Sequence, residues 1–266
     1  MNIKKLLDFF KKDKTSEEAI AYVKRGLIKK MIWKEFVSSS GSIIENEPFT
    51  YFMAGAPGSG KTEIVKKHLA QILKNCIIAD ADEIRKLIPY YNGSNSHKVQ
   101  KAASKGVDVL YDGALKYGYN ILIDGTFSLN YEKCEENISR SLKRNRGVVI
   151  FYLYTNPRVA WTYAKKREYT EGRKIAIKTF LKAFFESREN INKIKKKFGD
   201  EVYIVGMKSN YGNRGGIGEI KVNIKNVDEI QEVNYTYISL LARVLYANML
   251  LQRNRILWNI KRTLKK

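Results

Sequence analysis

No apolar run in this sequence approaches the roughly 18–20 residues that a membrane-crossing helix needs, so no transmembrane segment is expected. The first residues, MNIKKLLDFFKKDK, are basic with a short apolar patch. They lack the longer apolar stretch and small-residue cleavage site of a secretory signal. Cysteine is scarce: Cys76 and Cys134 are the only two, with no Cys-x-x-Cys pair. A disulfide scaffold is excluded, and two buried free thiols in a reducing cytoplasm are expected. Histidine is equally scarce. His68 and His97 have no metal-ligand spacing with each other or with the cysteines, which argues against a zinc site. His68 is expected to be packed or on the surface, and His97 to lie in a loop. There is no internal repeat and no low-complexity segment.

Acid is the other shortage. Against 49 Lys and Arg stand 27 Asp and Glu, a formal net charge of +22. A field this positive favours polyanions (nucleotides, nucleic acid, acidic proteins or anionic lipid) and does not choose among them. A length of 266 residues with 44% hydrophobic content suffices for one domain of ordinary size with appendages.

The rest of the chain alternates apolar and helical segments. TYFMA (50–54), NCIIAD (75–80), NILID (120–124), RGVVIFYLY (146–154) and EVYIVGM (201–207) read as short buried strands. Between them, 60–75 reads as a helix with Ile64, Leu69, Ile72 and Leu73 near a 3.6 period, and 98–117 reads as another. A long helical stretch starts at Asn156-Pro157, where Asn caps and Pro suits the first turn. Strands separated by helices in this way predict an α/β fold with a P-loop kinase-like parallel sheet flanked by helices. Helical additions are expected at both ends. Residues 1–49 form an N-terminal helical segment ending at SSSGS (38–42), residues 50–207 the core, and residues 208–266 a glycine-rich loop, a short strand IKVNI (220–224) and a basic helix from about 235 to 265. On that helix Leu240, Leu241, Val244, Leu245 and Met249 are apolar, which predicts docking on the core. Binding to nucleic acid or an anionic surface is the sharper alternative, supported by the runs KRNR (143–146) and KIKKK (193–197).

The chemistry begins at GAPGSGKT, residues 55–62, which follows the TYFMA strand and opens a helix. Gly55, Ala56, Pro57, Gly58, Ser59, Gly60, Lys61 and Thr62 have the spacing of a phosphate-binding P-loop, with Glu63 in the helix just behind. Glycines let the backbone curl so that several N–H groups point inward. Lys61 is expected to reach the β and γ phosphates of ATP or GTP, and the Thr62 hydroxyl to ligate Mg²⁺. ILIDGT (121–126) supplies Asp124 as the second metal ligand, with Thr126 beside the acceptor. Gly125 follows Asp124 where a hydrolytic motor usually has Glu, which argues for transfer to a bound acceptor. Asp80-Ala81-Asp82 closes the second strand, at the edge where open α/β sheets bind ligands. Asp82 is placed to take the acceptor's proton; helix capping is the plainer role for Asp80 and an alternative for Asp82. Arg85, one turn on, either faces the acceptor or pairs on the surface. Tyr90 and Tyr91 suit stacking on a base or sugar as well as packing. YAKKREYTEGRK (163–174) places Arg167 and Arg173 in a lid segment, where arginines stabilise charge on the γ-phosphate; a solvated basic face is the alternative.

GAPGSGKT, IIADADEIRKLIPYY (77–91), ILIDGT and the arginine-bearing lid together resemble the zeta toxin family of toxin–antitoxin systems, over about residues 48–206. The Walker A element is generic, whereas the D-x-D-x-x-R-x-x-x-P-x-Y pattern beginning at Asp80 is more specific. The resemblance implies a P-loop kinase that phosphorylates UDP-N-acetylglucosamine on its 3′-hydroxyl, starves cell-wall synthesis and is restrained by an antitoxin protein. It implies Lys61 as phosphate lysine, Thr62 as magnesium ligand, Asp82 as base, and Arg167 and Arg173 as lid arginines. Asp124 stands where many members have Glu. A kinase acting on a nucleic-acid end or on tRNA, and a non-catalytic nucleotide-binding module, are the alternatives.

Overall fold

The computed structural model describes residues 16–172, 174–210, 216–231 and 233–263, without the side chains of Ser39 and 255–263. Arg173 and part of the glycine-rich loop (211–215) lie outside the described residues, as do residues 1–15 of the expected N-terminal helical segment.

Helices α1 (Ser16–Lys24) and α2 (Gly26–Ser40) precede β1 (Phe49–Ala54). The core continues with α3 (Lys61–Lys67), β2 (Ile77–Asp80), α4 (Ala81–Lys86), α5 (Ser96–Tyr117), β3 (Ile121–Asp124), α6 (Tyr131–Leu142), β4 (Gly147–Tyr154), α7 (Pro157–Glu171), α8 (Ile177–Phe198) and β5 (Val202–Ser209). Strand β6 (Ile217–Val222) and α9 (Tyr237–Thr263) complete the order. The six strands form one sheet in the order β2-β3-β1-β4-β5-β6. The first five run parallel, and β6 pairs antiparallel to β5.

Both faces of the sheet are covered, which is why its strands read as unbroken apolar runs. In β1, Phe52 and Ala54 pack with Val148, Ile150, Tyr152 and Ile204 against α6–α9. Tyr51 and Met53, one residue out of phase, pack with Leu122, Phe151 and Leu153 against α3. On the β2–β3 side, Ala19, Tyr22, Val23 and Ile32 of α1 and α2 bury against Val99, Ala102, Ala103 and Leu110 of α5. Cys76 and Cys134 are buried free thiols. Among the described residues no helix is long and apolar enough to cross a membrane.

Four local expectations change. The helix expected over 60–75 stops at Lys67; the chain turns so that Leu69 and Leu73 still bury under the sheet while Ile72 points out. His97 lies in the first turn of α5, not in a loop. The strand expected at 220–224 begins three residues earlier and ends at Val222, before Asn223 at φ 53°. Its antiparallel direction follows from the short connection, since a hairpin cannot return a parallel strand. On α9, Leu240 and Val244 are buried against the core while Leu245 (48% exposed) and Met249 (56%) face outward. Docking is therefore the observed arrangement, through 240, 244 and 247, and the apolar stripe is narrower than expected.

That face assignment is testable. Val244→Asp should lower unfolding free energy by about 3 kcal/mol, because a carboxylate enters the core. Leu245→Asp should stay within about 0.5 kcal/mol of wild type. Denaturant titration of the two variants measures both; equal losses would mean α9 docks by another face.

Candidate functional site

The loop between β1 and α3 is held by backbone geometry that only glycine accommodates. Gly55, Gly58 and Gly60 have φ of 128°, 75° and 97°. A Cβ on Gly55 would sit 2.4 Å from the Leu153 carbonyl oxygen, and one on Gly58 would sit 2.2 Å from that of Ala160 on α7. The Gly55 N–H donates to the Thr126 carbonyl (3.2 Å), and the Thr155 hydroxyl donates to the Ser59 carbonyl (2.8 Å), tying the loop to the ends of β3 and β4. Ala56 is buried and Pro57 begins the turn before Ser59, and Glu63 lies in the first turn of α3.

Lys61 Nζ spans the loop, donating to the carbonyls of Ala56 (2.8 Å) and Gly55 (3.0 Å) and to Ser59 Oγ (3.4 Å). The Thr62 hydroxyl lies beside the Asp124 carboxylate and, with Lys61, draws its pKa down against the effect of burial. A hydroxyl and a carboxylate beside a phosphate loop are the donor set Mg²⁺ takes when substrate phosphates supply further ligands. The glycine curvature and this pair fit a magnesium–nucleoside triphosphate.

Beside the loop, Asp80 and Asp124 are register partners at the ends of β2 and β3. Asp80 caps α4, accepting from the Asp82 N–H at 2.7 Å. Burial, then the charges of Asp124 and Asp82, push its carboxyl up from 3.8 to about 7, against the pull of the capping N–H. Burial also raises Asp124, opposed by Lys61.

Asp82 stands between two arginines. It pairs with Arg85 and, 3.0 Å away, with Arg167 Nη2; Arg167 Nε also meets Glu171 at 3.1 Å. Arg167 reaches it from α7, 85 residues later in sequence. Arg85 does not present itself to an acceptor. It is 1% exposed, with one guanidinium nitrogen on Asp82 and another on Gln100. Neither alternative from the sequence, acceptor contact or surface pair, describes it; it is an internal brace that aims Asp82. Thr126 Oγ1 shares a hydrogen bond with Ser128 Oγ at 2.6 Å. Tyr90 is buried and Tyr91 half-buried in the α4–α5 turn. His68 is exposed.

Three supporting residues were not legible in sequence. Thr155 holds the P-loop, and Gln100 holds Arg85. Asn190, buried on α8, donates to the carbonyls of Leu129 (2.7 Å) and Phe127 (3.2 Å) and so fixes the loop that leaves Asp124. Phe127 in that loop adopts φ 56°, an outlier for a bulky residue. These partners are 61–96 residues from what they hold, or on another helix, and no local pattern marks them.

A parallel sheet with a glycine loop after its first strand, a lysine and threonine on the following helix, and an arginine of α7 meeting an aspartate define a P-loop kinase. The model of the zeta toxin family matches residues 39–217, and the chain belongs to that family. In fold it is similar to a protein of the PezAT chromosomal toxin–antitoxin system of Streptococcus pneumoniae, at TM-score 0.62 and 17% identity, over 84% of this chain and 95% of that one. It is also similar to the AvrRxo1-ORF1:-ORF2 complex, at TM-score 0.53 and 16% identity, over 87% of this chain and 81% of that one. The same complex with ATP matches at TM-score 0.53 and 16% identity, over 83% and 72%. No curated protein matches the chain in sequence.

The raised Asp80 carboxyl predicts a pH effect on metal-free protein. Its folded-state pKa exceeds the unfolded one, so its stabilising contribution is complete below about pH 4 and is lost as pH rises through about 7. Asp80→Asn keeps a capping oxygen and removes the charge. The variant should lose less stability than wild type between pH 5 and pH 8, with the larger gain at pH 8. Thermal unfolding at both pH values measures this; identical pH dependence would remove the buried charge as its source.

Proposed function

We propose that this kinase transfers the γ-phosphate of ATP to a sugar hydroxyl of a UDP-N-acetylglucosamine-like acceptor and thereby arrests growth. The observation that carries the reading is Asp82, aimed by the buried Arg85 and met by Arg167, beside the Lys61 loop and the Thr62–Asp124 pair.

In this reading the acceptor oxygen attacks the γ-phosphorus while the bond from that phosphorus to the β,γ-bridging oxygen breaks. The hydroxyl proton goes to Asp82 and ADP leaves. Asp82 chiefly orients the hydroxyl, since phosphoryl transfer asks more for positioning and charge neutralisation than for a strong base. Lys61 neutralises the β and γ oxygens. Arg167 spreads its charge over the transferring group, with Arg173 as the second lid arginine. Thr62 and Asp124 would hold Mg²⁺, which would supply positive charge to offset that of the phosphates. Thr126 borders the acceptor. Gly125 stands after Asp124 where a hydrolytic motor usually carries Glu, which favours the acceptor over water. Both the nucleotide and a UDP-sugar are available in the cytoplasm. The toxin–antitoxin setting of the PezAT protein supports an antitoxin partner for this chain as well.

Labelled ATP offered with a panel of UDP-sugars, free nucleotides and tRNA tests the acceptor. Label should appear on a UDP-sugar; label released only as inorganic phosphate, or found on tRNA, would overturn the proposal. Lys61→Ala should abolish transfer in a folded protein. Asp82→Asn should leave ATP affinity nearly unchanged in titrations while single-turnover transfer falls by roughly 10²–10⁴-fold. A loss of ATP binding in Asp82→Asn would move that carboxylate to the nucleotide side. Expressed in a bacterium, wild type should halt growth and Asp82→Ala should relieve the arrest.

A further inference from the structure

The KRNR run is not used by the kinase site. It forms the turn between α6 and β4, with Asn145 at φ 51°, at the end of the sheet where the strands begin. There it borders an open cleft of about 850 Å³ lined by Lys116, Arg140, Arg144 and Arg146 against Glu45 and Asp112. The P-loop follows the other end of β1, so the two sites are separated by the length of a six-residue strand, about 20 Å.

Arg146 is the floor of this cleft. It is 3% exposed, and its hydrogen bonds go to neutral groups: the Thr50 hydroxyl (2.8 Å) and the carbonyls of Phe49 (2.8 Å), Ala114 (3.3 Å) and Tyr119. No carboxylate pairs with it among the described residues. Burial lowers its affinity for its proton, to a pKa of about 10. Two of the carbonyls belong to the end of α5 and the turn after it, and they orient the guanidinium without cancelling a full charge. Of the two acids, Asp112 is already taken by Arg140. Lys116 and Arg144 stand exposed on the rim. Beside Lys116, whose Nζ lies 5.0 Å from its ring centre, Tyr117 is 48% exposed. In the KIKKK run, by contrast, Lys195 is buried on the Val202 carbonyl and Asn223, and Lys197 pairs with Glu135 at 2.5 Å.

We propose that this cleft binds the backbone of single-stranded nucleic acid, with the exposed Lys116 and Arg144 facing phosphates over the buried charge of Arg146, and the neighbouring Tyr117 stacking on a base. An open groove with spread cations and, beside it, the half-exposed Tyr117 ring that also packs on Trp33 suits a strand, not a compact nucleotide, which a closed loop of N–H groups holds better. The site is independent of the kinase reading, since none of its residues borders the P-loop.

The test is fluorescence anisotropy with a labelled 15-nucleotide poly(U) RNA over a salt series. Wild type should bind with a steep salt dependence. Lys116→Ala/Arg144→Ala, both on exposed positions, should bind about ten-fold more weakly, and its log–log salt slope should be shallower by about 1.4, two phosphate contacts at 0.7 each. Unfolding temperature serves as the control for folding. Tyr117→Ala should weaken binding roughly five-fold. Saturating ATP and Lys61→Ala should leave RNA binding unchanged. Wild-type affinity and slope in the double variant would overturn the proposal, as would RNA displaced by ATP, which would seat the RNA on the P-loop. Polyphosphate of equal charge binding as tightly, with Tyr117→Ala neutral, would overturn the assignment to nucleic acid.

Discussion

The P-loop touches α7 backbone to backbone. At Gly58 there is no room even for a methyl group before the Ala160 carbonyl, so the loop that would hold phosphate and the helix that carries Arg167 are set against each other at a fixed distance. Seven residues separate Ala160 from Arg167, about 10 Å along a helix. The position of the arginine over Asp82 is thus inherited from a glycine contact two turns away. Helix α7 is held in turn by Trp161 edge-on to Phe180 of α8, and by Leu240 and Val244 of α9 in the same apolar cluster. The C-terminal helix supports the site without touching it.

The second constraint is charge at the carboxyl end of the sheet. Parallel strands bring Asp80 and Asp124 into register, and the helix after β2 adds Asp82. Three carboxylates in a half-buried space repel one another and lose hydration, which is why Asp80 and Asp124 are both shifted upward. Lys61, Arg85 and Arg167 are the compensation, and each is placed by a different element. Such a site sets a carboxylate that attracts cations at Asp124 beside an ammonium that attracts anions at Lys61, the pairing a metal–nucleotide complex offers. At the other end of the sheet the polarity reverses. Arg146 gathers carbonyls from β1, the end of α5 and the turn before β3, and the cations around it outnumber the acids.

What could be read without a structure was local. The phosphate loop is eight consecutive residues, and its glycines carry their own reason. The Asp80 cap, the Asn156 cap before Pro157 and the alternation of apolar runs with helices all depend on neighbours a few positions away. Zeta toxin membership was legible for the same reason, because Asp80, Asp82, Arg85, Pro89 and Tyr91 sit on one strand end, the helix that follows and the turn after it. Where the reading failed, the deciding contact was distant. Arg85 looked like a surface or acceptor residue until α5 closed over it with Gln100, and the outward turn of Leu245 and Met249 was set by which side of α9 the core could receive.

The sequence by itself therefore determined the phosphate loop, the parallel α/β order and the carboxylates at the strand ends, since each follows from backbone conformation and short-range periodicity. Tertiary structure alone decided that Arg167 meets Asp82 across 85 residues, that Asn190 and Thr155 hold the loop after β3 and the P-loop, and that Arg146 lies buried among carbonyls beneath a basic cleft. Those are matters of which surfaces pack together, and packing is settled by the whole apolar core and not by the residues on either side of a side chain.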